Sequence, residues 1–165
     1  MKITFAQRNN YPRTSSPYQL LYLMSNFEYI NFDTLMSSKE VADTSSGSCH
    51  DQVIFELDEL SKQGLNPKAK FLIAVDPNGN GGETHSFVFY QEDSKLYWFE
   101  NAWKDYRGIH EFDTEHELLD FVLDAFADRN PGKEVFVGAF IPEEHHIGED
   151  LQTLVDICMD NAVQA

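Results

Sequence analysis

The sequence predicts an α+β fold, and three observations point there. A helical apolar period runs from Cys49 to Lys62, with Val53, Leu57 and Leu60 at i, i+4 and i+7. Two aromatic-rich runs then flank the polar turn "QEDSK", the pattern of an antiparallel hairpin. Finally, 165 residues with 42% hydrophobic and 13% aromatic content suffice for one domain with a real core. Helices before a run of mostly antiparallel strands make the class α+β.

The elements follow in order. "KITFAQ" alternates weakly and suggests a short edge strand. A helix should start near Pro17, since Ser15–Ser16–Pro17 precede Leu20, Leu21, Met24 and Phe27 at near-helical spacing. Ser37–Ser38 before Lys39–Glu40 reads as a capping start for a short helix or turn. The next helix should run from about Cys49 to Lys62 and stop at Gly64, a natural left-handed cap. "KAKFLIAVD" is a buried strand between Pro67 and Asp76–Pro77, and "PNGNGGE" is a loop.

"THSFVFYQEDSKLYWFENAW" is the hairpin. "EFDTEHELLDFVLDAFADRN" is a helix capped near Asp113 or Thr114, with Leu118, Leu119, Val122, Leu123 and Phe126 as its apolar stripe. "KEVFVGAFI" is a further strand, "PEEHHIGED" a polar loop, and "GEDLQTLVDICMDNAVQA" a closing amphipathic helix.

The chemistry centres on Cys49, one of two cysteines. It follows Ser45–Ser46–Gly47–Ser48 and opens a helix. There a thiol meets unpaired first-turn N–H groups and the positive dipole end, and both favour thiolate. The plainer alternative is a small packed residue, because free cysteine is commonly buried.

A cysteine nucleophile needs a base, and the base needs an orienting group. His85 is the candidate base, at the start of an apolar strand just beyond a Gly-rich loop. On that strand His85, Phe87 and Phe89 share one face and Ser86, Val88 and Tyr90 the other. The orienting group depends on hairpin register. A two-residue Asp93–Ser94 turn pairs Gln91 with Leu96 and puts Glu100 diagonally across from His85 on its face. A three-residue turn puts Asn101 directly opposite instead.

A Cys at a helix start, then a strand His, then an acid or amide on the next strand resembles the transglutaminase-like superfamily. "SSKEVADTSSGSCHDQVIFELDELSKQGLNPKAKFLIA" and "THSFVFYQEDSKLYWFENAW" carry the resemblance, including Trp103 three residues after Glu100. It covers about residues 36–112. It implies a papain-like core with the nucleophile helix on a mainly antiparallel sheet, in a single domain over residues 1–165. It also implies a cysteine protease or amidase working through a thioester, with amine transfer as a variant. The family usually has Asp third; Glu100 or Asn101 stands here, and Glu100 is the expectation. Trp98 or Trp103 would wall the cleft. No cofactor is implied, and the partner expected is a peptide or protein substrate.

Two rivals compete with this reading. One is a binding module that keeps the fold without chemistry. The other is a metal site built from Cys49, His50 and His85. Other candidates are weaker. Asp51 and Gln52 could brace the loop or serve the helix dipole. His145–His146 would diverge on a strand, His50, His110 and His116 are expected at the surface, and Cys158 in the core.

The net charge of −16 disfavours nucleic acids and anionic membranes as partners. No segment reaches the roughly 20 apolar residues of a membrane span, and the start lacks the apolar run of a secretory signal. With two cysteines and no CxxC pair, the expected compartment is the cytoplasm.

Overall fold

The computed structural model describes residues 11–79, 82–140 and 148–165. The expected edge strand at "KITFAQ" and the pair His145–His146 lie outside them.

Helix α1 (Pro17–Met24) starts where Ser16 accepts the Gln19 N–H, with proline in the first turn. Strand β1 (Glu28–Tyr29) follows, then α2 (Ser38–Thr44), whose Ser37 and Glu40 form a reciprocal capping box. After β2 (Ser46–Gly47) comes α3 (Cys49–Lys62), with the bounds the apolar period predicts; Gly64 (φ +88) lies just past its end. Strands β3 (Lys68–Val75), β4 (Thr84–Glu92), β5 (Lys95–Glu100) and β6 (Gly108–Phe112) precede α4 (Glu115–Arg129), capped by Thr114. Then come β7 (Glu134–Ala139), α5 (Leu151–Asp160) and β8 (Val163–Gln164).

Three outcomes differ from expectation. The closing helix ends at Asp160, and Val163–Gln164 return as a strand on β7. "GIHEF" is a strand because β5 offers it an open edge, which its own short pattern does not announce. Strands β1 and β2 pair in parallel over two residues each, a tertiary contact without a local signature.

The main sheet is antiparallel throughout, in the order β6-β5-β4-β3-β7-β8. Each face carries its own apolar layer. One joins Leu20 and Met24 of α1, Val53, Phe55 and Leu60 of α3, and Leu154 and Cys158 of α5 to Phe71, Val88 and Phe99 of the sheet. The other packs Leu118, Val122 and Phe126 of α4 on Leu72, Phe87, Phe89 and Trp98. Side-chain alternation along β4 sorts its residues between these layers, as the period of two requires. Among the described residues, no helix is long and apolar enough to cross a membrane.

Candidate active site

The turn that carries Cys49 is braced from within. Ser48 caps α3 by accepting the Asp51 N–H, while Asp51 Oδ2 accepts the Ser48 N–H at 2.9 Å. Such a box contributes about 1 kcal/mol at an exposed helix end. Here it is buried, and Asp51 Oδ1 also accepts the Met36 N–H at 2.8 Å, tying the start of α2 to the turn before Cys49. Gly47 (φ +154) has no substitute, since a Cβ there would lie 2.7 Å from the Asp51 Cβ. Below the turn, Gln52 Nε2 donates to the Gly47 carbonyl at 3.1 Å, and Asn101 Nδ2 donates to Gln52 Oε1 at 2.8 Å. Asp51 and Gln52 thus brace the loop.

The hairpin register decides between the two orienting candidates. Asp93 (φ +50) and Ser94 (φ +68) form a two-residue turn with both residues left-handed, and Gln91 pairs with Leu96. Glu100 therefore shares the His85 face, one diagonal away. His85 Nε2 lies 3.1 Å from Glu100 Oε1, an ion-pair approach rather than a linear hydrogen bond. That same oxygen accepts the Trp103 N–H at 2.9 Å, which fixes the carboxylate. Asn101 turns the other way and serves Gln52 and the Met24 carbonyl.

Cys49 and His85 are both buried, line the same cavity and interact electrostatically. With Nε2 facing Glu100, Nδ1 is the ring nitrogen left for the sulfur. Burial raises the Cys49 thiol, but the imidazoles of His50 and His85 around it outweigh that and hold it well below its usual range. Burial opposes a charge on His85 as well. The Glu100 carboxylate and the Cys49 sulfur overcome it, and His85 is raised to about 10. Both directions favour a thiolate–imidazolium pair over a neutral thiol and imidazole.

A cavity of about 440 Å³ opens onto this pair. Tyr29, Thr84, Trp103 and Phe126 contribute to its walls, and the Arg129–Glu83 ion pair (2.8 Å) lies at its edge with the guanidinium 5.7 Å over the Trp103 ring. Trp103 stands edge-on to His85, with centroids 5.3 Å apart. Trp98, the other expected wall residue, does not line the cavity. It is fully buried behind Trp103, packed on Phe87 and His110, because its face of β5 is covered by α4.

Of the histidines expected at the surface, His116 is exposed and His110 half-buried, but His50 is buried. Its ring stacks on Phe71 and Phe140, and its nitrogens meet Ser86 Oγ at 2.6 Å and Thr84 Oγ1 at 3.2 Å. The second position of a buried helix turn points at the sheet, so exposure could not hold there. His50 packs on one face of β4, against Thr84 and Ser86, while the His85 side chain projects from the other. Among the described residues, no three His, Cys, Asp or Glu side chains are placed to hold a metal ion.

Two residues of the site were not singled out from the sequence. Glu56, buried on the Cys49 face of α3, has its carboxyl held well above the carboxylate range by burial and then by the Glu100 charge. An acid seven positions after Cys49 on a buried stripe was the available signal. Tyr29, whose hydroxyl is 3.9 Å from Cys49 Sγ, arrives through the β1–β2 pairing and has no local signal.

Compared with known proteins, the chain matches no family model, and no curated protein matches it significantly.

Proposed function

We propose that this protein is a thiol-dependent acyl-transfer enzyme that hydrolyses a peptide or carboxamide bond through a thioester. The observation that carries the reading is that Cys49 and His85 line one cavity, with the buried Glu100 carboxylate 3.1 Å from the His85 ring behind them. His85 holds the proton of Cys49, and Glu100 fixes the ring and favours its cationic form.

The thiolate forms an S–C bond to the substrate carbonyl carbon, and the C=O pair moves onto oxygen. The Cys49 backbone N–H, at the first position of α3 where the helix offers no partner, donates to that oxygen. Collapse of the intermediate breaks the C–N bond, and the departing amine takes the proton from His85. Water, activated by the neutral His85, then hydrolyses the thioester and restores thiolate and imidazolium.

The resemblance to the transglutaminase-like superfamily over about residues 36–112 supports the same chemistry and a papain-like core. It leaves room for an amine in place of water. The substrate class is a peptide or protein, and two cysteines with no CxxC pair suit a reducing, cytoplasmic compartment. A non-catalytic binding module would not need a thiol and a carboxylate-paired imidazole lining one cavity.

The test is to incubate the protein with glutaminyl and asparaginyl peptides and trap acyl-enzyme with hydroxylamine. Hydroxamate that forms with the native protein, and is absent with Cys49→Ala and His85→Ala, supports the reading. Hydroxamate at the same level in the Cys49→Ala variant, or in none of the proteins, contradicts it.

A further inference from the structure

Strand β1 has no core of its own. Both of its residues are exposed, and it exists as a two-residue parallel pairing with β2, Glu28 opposite Ser46 and Tyr29 opposite Gly47. The Glu28 N–H donates to the Ser45 carbonyl at 3.0 Å and the Ile30 N–H to the Gly47 carbonyl at 3.3 Å. These bonds tie β1 to the very turn that presents Cys49. Their consequence is the position of one side chain. The Tyr29 hydroxyl lies 3.9 Å from Cys49 Sγ and near the Cys49 backbone N–H, and the ring forms part of the cavity wall.

We propose that Tyr29 is a catalytic residue of this site, donating its phenolic O–H to the carbonyl oxygen as negative charge develops on it. The inference rests on the acyl-transfer reading above and deepens it by supplying the second oxyanion donor. An oxygen on the carbon bonded to Sγ lies beside the sulfur, within reach of a hydroxyl already in contact with Sγ. A useful donor sits about 2.7–3.1 Å from that oxygen.

Of the side-chain donors near Cys49, the Gln52 amide donates to the Gly47 carbonyl, while the Trp103 indole N–H is buried and makes no hydrogen bond. Burial and the charge of Cys49 both push the phenol up, above its ordinary range, so it keeps its proton at neutral pH. In the resting protein the hydroxyl donates to the sulfur. When a carbonyl oxygen arrives, that hydrogen bond transfers to it while the S–C bond forms.

The test compares two reactions of Cys49 in the native protein and in Tyr29→Phe, which keeps the ring. Iodoacetamide alkylates by displacement at a saturated carbon and builds no oxyanion. 4-Nitrophenyl acetate acylates through a tetrahedral oxyanion that expels 4-nitrophenolate and leaves a thioester.

At a pH where Cys49 is ionised in both proteins, Tyr29→Phe should acylate about 10²-fold more slowly. Its alkylation rate and melting temperature should stay near native. Equal losses in both reactions would reduce Tyr29 to a structural part, and unchanged acylation would remove its role. Faster acylation would make the hydroxyl a plug over the sulfur and overturn the inference. A native protein that is alkylated at Cys49 but never acylated would instead overturn the acyl-transfer reading itself.

Discussion

Two buried histidines flank Cys49, one from each face of β4, and their surroundings differ in kind. His50 is the next residue in the chain, held between Phe71 and Phe140, with hydroxyls of Ser86 and Thr84 at its nitrogens. His85 is 36 positions away, stacked on Phe87 and paired with the Glu100 carboxylate beside a cavity. A hydroxyl can donate or accept, so it serves neutral and protonated imidazole alike. A carboxylate favours only the cation. Proximity to the thiol is therefore common to both rings, and the partner's charge is what separates a packed histidine from a proton carrier.

The sharpest way to break this comparison is to delete each ring in turn. His85→Ala should lower acyl transfer about a thousandfold or more while the fold persists. His50→Leu should leave acyl transfer far less affected. It should cost about 1–3 kcal/mol in denaturant unfolding, because Ser86 loses its buried partner. Reversed outcomes, with His50 carrying the activity, would exchange the two roles.

A smaller effect is expected at Glu100. Glu100→Gln should slow acyl transfer by about 10²-fold, below the roughly 10⁴-fold seen when a serine triad loses its acid, since the thiolate still attracts the imidazolium. Removing the carboxylate takes away the main force raising His85, so the alkaline limb of the rate profile should move down from about pH 10. The stability sign follows. A histidine raised above its unfolded 6.5 stabilises the fold fully below pH 6.5, and that contribution is lost as pH rises through about 10. The variant should be destabilised most below pH 6.5, where the His85 contribution is complete.

The smallest effect concerns Glu56. Its carboxyl is raised in the folded state, so folding takes up a proton above the unfolded value and stability falls as pH rises. Glu56→Gln removes that cost. It should raise the melting temperature at pH 7 by roughly a few degrees, with the gain vanishing near about pH 4. A loss at pH 7 would mean that an ionised Glu56 is needed.

The parts of this site that sequence made legible are those governed by local rules. The apolar period opened α3 at Cys49 and Gly64 closed it, and the alternation of β4 sorted His85 from Ser86. The Glu100–Asn101 choice hung on one turn, because a one-residue slip exchanges the faces. Asp93 and Ser94 settle it by both adopting left-handed conformations. What sequence left out is non-local. Tyr29 reaches Cys49 through a parallel pairing between segments that carry no strand pattern. His50 and Trp98 were misjudged for a related reason, since burial at a helix start or on an inner strand face depends on what packs above it.

The central claim is that Cys49 is a thiolate held by the imidazoles beside it, and one titration tests it. Iodoacetamide labelling of Cys49 and Cys158, followed site by site with pH, should find Cys49 reacting fast well below the ordinary thiol range. Cys158, buried in the core under α5, should lag far behind. Equal, slow labelling of the two cysteines, rising together toward the ordinary thiol pKa, would contradict the account.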